Sequence, residues 1–161
     1  MASDYFLKLT DIEGESQDSK HTNEIDIVDF WWGASQPGSE STGSGAGSGK
    51  VQIHDFNFVS KHSKASPKLM QACADGSHIS SAVLTIRKAG KEQQEFSTYT
   101  LTDCIITRYQ VIAAKDNGGI PDDHYALSFS KIEHQYKEQK ADGTLGGTVK
   151  TGWDVKQNKA S

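Results

Sequence analysis

Long apolar runs are missing from this chain: no stretch of apolar side chains extends beyond a few residues. A bilayer-spanning helix needs about 20 such residues in a row, so no membrane insertion is expected. Basic charge is also in short supply. Lys and Arg number 17 against 21 Asp and Glu, a formal charge of −4, which leaves no basic surface to grip nucleic acid. Cysteine is nearly absent. Cys73 and Cys104 are too few for a disulfide framework, and their simplest reading is two buried thiols in a reducing compartment. The opening Met1-Ala2-Ser3-Asp4-Tyr5 has neither the basic segment nor the apolar core of a signal peptide. The expectation is synthesis in the cytoplasm and, if the protein leaves the cell, export by a route that reads no N-terminal signal.

What is present is glycine, 15 residues, with a hydrophobic content of only 35%. That balance suits a thin-walled β-structure with many turns, or a wall wetted on two sides. The 161 residues are enough for one core, and a single domain over residues 1–161 is expected.

One helix stands out, over Ser66–Asp75. Ser66 suits the N-cap, Pro67 the first helical position, and Gly76 a left-handed stop. Leu69, Met70 and Cys73 form its expected apolar face, which must rest on other elements because so short a helix is marginal alone.

The remainder reads as strand. Alternation marks residues 5–9, 24–32, 50–60, 78–88, 94–114, 125–136 and 148–155, with a bend expected near Thr102-Asp103. Residues 11–23 read as a polar surface loop. In residues 24–32 both faces carry large apolar groups near the end: Ile25, Ile27, Asp29 and Trp31 on one, Asp26, Val28, Phe30 and Trp32 on the other. One aromatic face can be core; the other needs a second explanation. Strands spaced by turns, plus one helix, make an antiparallel barrel or sandwich.

Residues 33–49 are rich in Gly and Ser, with Pro37, and read as a long extended loop. The run Gly43-Ser44-Gly45-Ala46-Gly47-Ser48-Gly49-Lys50 looks superficially like a phosphate cradle and fails on spacing. A P-loop needs Gly and a hydroxyl where Ser44 and Val51 stand, and a dinucleotide fingerprint lacks its third Gly. The histidines at 21, 54, 62, 78, 124 and 134 show no helical or His-x-His ligand spacing, and no Cys completes a zinc set. There is no Gly-x-Ser-x-Gly nucleophile motif. Carboxylates are scattered through loops. The residues therefore offer surfaces and no reactive centre: no enzyme, no catalytic, metal or cofactor-binding residue, and no cofactor is expected.

With these residues read, a family emerges. Tyr5-Phe6-Leu7-Lys8, Gly14-Glu15-Ser16-Gln17-Asp18, Trp32-Gly33-Ala34-Ser35-Gln36 and Gly47-Ser48-Gly49-Lys50-Val51 resemble the hemolysin-coregulated protein (Hcp) family. So do Lys64-Ala65-Ser66-Pro67-Lys68-Leu69, Ala82-Val83-Leu84-Thr85-Ile86-Arg87-Lys88-Ala89-Gly90, Lys131-Ile132-Glu133, Gln139-Lys140-Ala141-Asp142-Gly143 and Gly152-Trp153-Asp154. The resemblance implies a mainly β fold, a small antiparallel barrel of two sheets with one short flanking α-helix and a long extended loop. It implies a subunit that joins copies of itself in six-membered rings, stacked into the inner tube of the bacterial type VI secretion system. The implied partners are a valine-glycine-repeat spike protein at the tip, a contractile sheath around the tube, and effector proteins sheltered in the lumen. The implied fate is secretion with those effectors. The sequence ends at Ser161, just after the family-like ending, and no appended toxin domain is expected.

Two sets of site residues follow. The family typically carries Trp-Ser-Trp-Gly where this chain has Phe30-Trp31-Trp32-Gly33. If Phe30 and Trp32 pack inward, Trp31, with Asp29, points to the lumen or to a subunit seam. It is either a candidate cargo contact or a residue packed on a neighbour. The extended loop, with Gln36, Pro37, Ser41, Gly43, Gly45, Gly47 and Lys50, is the candidate arm to a neighbouring subunit or ring. The alternative is a monomeric β-barrel that binds a small ligand.

Overall fold

Apolar alternation in six strands closes into a barrel whose interior is filled by side chains. The computed structural model describes residues 3–38, 50–89, 92–113, 115–116 and 118–161. Its elements are β1 (Ser3–Leu9), β2 (Ile25–Trp31), β3 (Ala34–Ser35), β4 (Gln52–Ile53), β5 (Phe56–Lys61), α1 (Ser66–Asp75), β6 (His78–Lys88), β7 (Glu95–Ile112), β8 (Asp122–Gln139), β9 (Leu145–Asp154) and β10 (Lys159–Ala160). The order β8-β5-β2-β1-β6-β7, closed by β7 against β8, makes the barrel, and β9 and β10 extend the sheet outward from β8. All pairings are antiparallel. Closure leaves no open edge around the ring of strands.

The two longest strands, β7 and β8, pair from Ser97↔Tyr136 to Ile112↔Asp122. The bend expected near Thr102-Asp103 is at Asp103, whose φ is +54°. The inward series changes phase there: Ser97 and Leu101 are buried before it, Cys104 and Ile106 after it. A register slip against β8, a bulge at Thr107, lies between Ile106 and Arg108. The expected strand over residues 50–60 is instead two strands. Among the described residues β4 pairs only with β3, through Ala34↔Ile53 and Ser35↔Gln52, while the His54 N–H donates to the Gly33 carbonyl at 2.9 Å. The chain turns out of that ribbon at His54-Asp55 and enters the barrel at Phe56.

Both barrel mouths are sealed. At the end where β1, β5 and β7 finish and β2, β6 and β8 begin, α1 supplies Leu69 and Ala72 to the core beside Leu9, Ile12 and Ile79. At the opposite end aromatic rings close the mouth. Trp32 stacks on Phe56 with centroids 5.9 Å apart, Tyr5 meets Phe30 edge-on at 5.1 Å, and Tyr99 stacks on His134 at 4.1 Å.

Helix α1 differs from expectation at both its start and its face. Ala65 is the N-cap, and no side chain caps the first turn. Ser66 is instead the first helical residue, buried, accepting from the Ser63 N–H at 2.9 Å and donating to the Asp123 carboxylate. A buried anion takes the hydroxyl that the free backbone N–H groups would otherwise use. The buried face is Ser66, Leu69 and Ala72, with Cys73 half-buried, while Met70 is exposed. The stop is as expected: Gly76 has φ +68° and donates to the Ala72 carbonyl at 3.0 Å.

Residues 11–23 form no free surface loop. They fold back on themselves, with Gly14 N–H to the Asn23 carbonyl at 2.8 Å and Ser16 N–H to the Glu24 carbonyl at 3.0 Å. The turn lies against the outside of β1, β2 and β6, burying Ser16 and His21 with Phe6 and Arg87. His21 stacks on Phe6 at 4.3 Å, and the Arg87 guanidinium sits 4.7 Å over the same ring. Gly14 is required there, because a Cβ would stand 2.5 Å from the Glu24 carbonyl oxygen and 2.7 Å from the Ile25 Cα.

Candidate functional site

The loop over residues 11–23 covers one side of the barrel, and α1 covers one mouth. The outward face of the four adjacent strands β2, β5, β8 and β7 carries the exposed Asp29, Trp31 and Arg108.

The register builds this sheet as alternating rows. The inward row Phe30–Phe58–Tyr125–Tyr109 is aromatic across all four strands, with Phe58 stacked on Tyr125 at 5.8 Å. On either side of it the outward rows are Asp29–Val59–His124–Gln110 and Trp31–Asn57–Ala126–Arg108. A bulge at Val28, between Ile27 and Asp29, sets this arrangement. Ile25 and Ile27 face inward before it, Phe30 and Trp32 after it. The extra residue reverses the alternation, so Asp29 and Trp31 face out while Phe30 and Trp32 pack on the core. Trp31 keeps 62% of its surface exposed.

The floor of the Trp31 row is polar and ordered. Asn57 is buried; its Nδ2 donates to the Asp55 carbonyl at 2.9 Å, and its Oδ1 accepts from Arg108 Nη2 at 2.6 Å. Arg108 Nη1 donates to Gln110 Oε1 at 3.1 Å. Thr107 Oγ1 donates to Asp55 Oδ2 at 2.6 Å. Asp55, Asn57, Thr107 and Arg108, with His54 and Ala126, line a shallow depression beside Trp31.

Behind the same strands a buried carboxylate fixes the helix. Asp123, 0% exposed, accepts from Ser66, from His62 Nδ1 at 2.8 Å and from the Tyr109 hydroxyl at 3.1 Å. Burial pushes the Tyr125 phenol, bonded to Ser60 Oγ at 3.1 Å, well above its ordinary range. This Ser, His and Asp set is not a nucleophile: Ser66 is buried and bonds the carboxylate rather than the imidazole.

The second candidate set lies at the base of the ribbon. Gln36 and Pro37 follow β3, and Lys50 precedes β4, all exposed. Ser41, Gly43, Gly45 and Gly47 lie outside the described residues. Beneath the ribbon, an apolar cleft of about 290 Å³ is lined by Trp32, Val51, Ile53, Ile132, His134 and Trp153. Burial lowers the His134 pKa from its ordinary value, and its Nε2 meets Ser97 Oγ at 2.9 Å. The barrel itself is full: Leu7, Phe56, Tyr125 and Leu127 are each 0% exposed. The small-ligand barrel is therefore not favoured.

Sequence reasoning missed Arg108 and Asn57. The available signal was Asn57 between the two core residues Phe56 and Phe58, a polar side chain with a partner to find. It also missed Arg87, buried at 2% within a run whose neighbours read as ordinary strand.

Comparison with known proteins agrees with this architecture. Residues 6–136 match the family described as "Type VI secretion system effector, Hcp". The chain is 41% identical over 162 residues to "Protein hcp1" of Pseudomonas aeruginosa, covering 98% of each chain. Among solved structures it resembles Hcp1 from Salmonella typhimurium, with 37% identity, a TM-score of 0.84 and full coverage of both chains. It also resembles a structure described as a type six secretion system protein, with 27% identity, a TM-score of 0.92 and coverage of 99% and 100%. The family is structural rather than enzymatic and assembles with itself into rings and tubes. The chain belongs to the Hcp family and is a tube subunit of the type VI secretion system.

Proposed function

We propose that this subunit closes into rings of six as one domain over residues 1–161, turns the β2-β5-β8-β7 face towards the pore, and holds effector proteins there through Trp31 and Asp29. The carrying observation is the exposed Trp31, whose chain neighbours Phe30 and Trp32 are partly buried and packed against the core. A rigidly mounted aromatic side chain loses little freedom on contact, and such residues dominate protein recognition. The excursion between β3 and β4, from Gln36 and Pro37 through Ser41, Gly43, Gly45 and Gly47 to Lys50, then reaches a neighbouring subunit or ring. Ring closure is a rotation that completes itself, whereas stacking propagates as a filament.

In this reading the stack is surrounded by a contractile sheath and tipped by a valine-glycine-repeat spike. The protein is made in the cytoplasm and leaves with its cargo without a signal peptide. The test is Trp31→Ser, followed by retention of a cognate effector on rings verified by electron microscopy. Loss of the effector from intact rings is expected; undiminished retention overturns the cargo role.

A further inference from the structure

We infer that the Trp31–Arg108 depression selects protein segments that pair an apolar side chain with a carboxylate, an inference that rests on the cargo-facing role proposed for this face. The row Trp31–Asn57–Ala126–Arg108 crosses four strands, so the end residues' backbones stand about 14 Å apart. Arg108 shortens that span. Its side chain crosses Ala126 to reach Asn57 Oδ1 at 2.6 Å, and Asn57 is the residue paired with Trp31 on the neighbouring strand.

The guanidinium is oriented but not neutralised. Its side-chain partners are two carboxamide oxygens, of Asn57 and Gln110, and among the described residues no carboxylate pairs with it. Asn57 cannot swing away, being buried and tied to the Asp55 carbonyl at 2.9 Å. Asp55, the acidic group in the depression, already accepts a hydrogen bond from Thr107. His54 lines the same depression, and Asp29 and His124 occupy the next outward row. The result is a pre-aimed planar donor beside an exposed indole. A guanidinium matches a carboxylate through paired N–H donors, and Trp and Arg are the residue types most enriched at binding hot spots.

The test uses assembled rings carrying 5-fluorotryptophan, with the Trp31 fluorine resonance assigned by Trp31→Phe. The probes are three capped tetrapeptides whose central pair is phenylalanine followed by glutamate, glutamine or lysine. The glutamate peptide is expected to bind about twofold to fivefold more tightly than the glutamine peptide, the range an exposed ion pair supplies. Added salt should erase that margin. Arg108→Gln should level the glutamate and glutamine peptides, and Arg108→Glu should reverse the order in favour of lysine. Equal affinities for all three peptides, no shift at millimolar peptide, or a glutamate preference that survives Arg108→Gln would each overturn the inference. Failure of the assembly reading would show separately, as an absence of rings in micrographs of the same sample. Rings that retain an effector yet show no peptide preference sink only the carboxylate specificity.

Discussion

Arg87 Nη2 donates to Asp18 Oδ2 at 2.6 Å, joining residues 69 apart in sequence. The bond pins the folded-back loop to the outer wall of the barrel. Arg87 Nη1 adds a second bond to Asp18 Oδ1 at 3.0 Å, and Asp4 accepts from Nη2 at 3.2 Å. The paired guanidinium holds the Asp18 carboxyl far below the ordinary carboxylate range. The seal is completed by backbone contact at Gly14. Gly14→Ala is expected to cost about 1–3 kcal/mol, the cost of forcing atoms into a packed site, and urea unfolding followed by circular dichroism measures it. A wild-type midpoint in the variant would show that the loop does not lie against β2 as described.

Acid should weaken the fold through groups outside this loop as well. Asp103 accepts from His78, Ser130 and Lys156, which lower its pKa from the ordinary 3.8 to about 2. A depressed carboxylate contributes stability that is complete above 3.8 and disappears as pH falls through about 2. Asp26 acts in the opposite sense. Burial, with Asp18 and Asp4 nearby, raises its pKa, so its contribution is present at low pH and fades as pH rises through the folded value. Asp103→Asn is therefore expected to lower Tm at neutral pH and to leave Tm near pH 2 almost unchanged. Equal losses at both pH values would contradict the assignment.

The two thiols should differ sharply in reactivity. Cys104 is 0% exposed, and burial pushes its pKa up to about 12, so almost none of it is thiolate near pH 8. Cys73 is half-buried on α1. Labelling with a maleimide at pH 8, read by mass spectrometry, is expected to add one label to the native protein and a second only after denaturation. Native labelling at Cys104 would contradict the packing of β7.

The helix face is tested by two truncations. Leu69→Ala empties a 0%-exposed position and should cost about 2–5 kcal/mol. Met70→Ala, at an exposed site, should stay within about 0.5 kcal/mol. Chemical denaturation of both variants separates these values, and a larger loss at Met70 would restore the apolar face read from spacing alone.

Strand content, the helix and its Gly76 stop were legible because they depend on local pattern. The faces of β2 were not. Period-2 counting divides Ile25, Ile27, Asp29 and Trp31 from Phe30 and Trp32, but a bulge at Val28 joins Ile25 and Ile27 to Phe30 and Trp32 on one side. The apparent two-faced aromatic strand is one aromatic face and one exposed Trp31. A bulge is a property of pairing with β5, so nothing within residues 24–32 announces it. Ser66 failed as an N-cap for a similar reason: its partner Asp123 is 57 residues away. The polar spacing of residues 11–23 hid the burial of Ser16 and His21, because Arg87 pairs with Asp18, and His21 with Glu24 and Glu95, so these groups can be covered. The candidate site was half visible. Trp31 and Asp29 were singled out as candidates from alternation and from a departure in a familiar motif. Arg108 enters only through the register of β7 on β8 and the bulge at Thr107.

The most direct test of the central claim is a near-atomic electron-microscopy reconstruction of the assembled ring. The account predicts a closed ring with the β2-β5-β8-β7 face lining the pore and the Trp31 and Arg108 side chains open to it. Trp31 buried in a seam between subunits, or turned to the outer wall, would contradict the account.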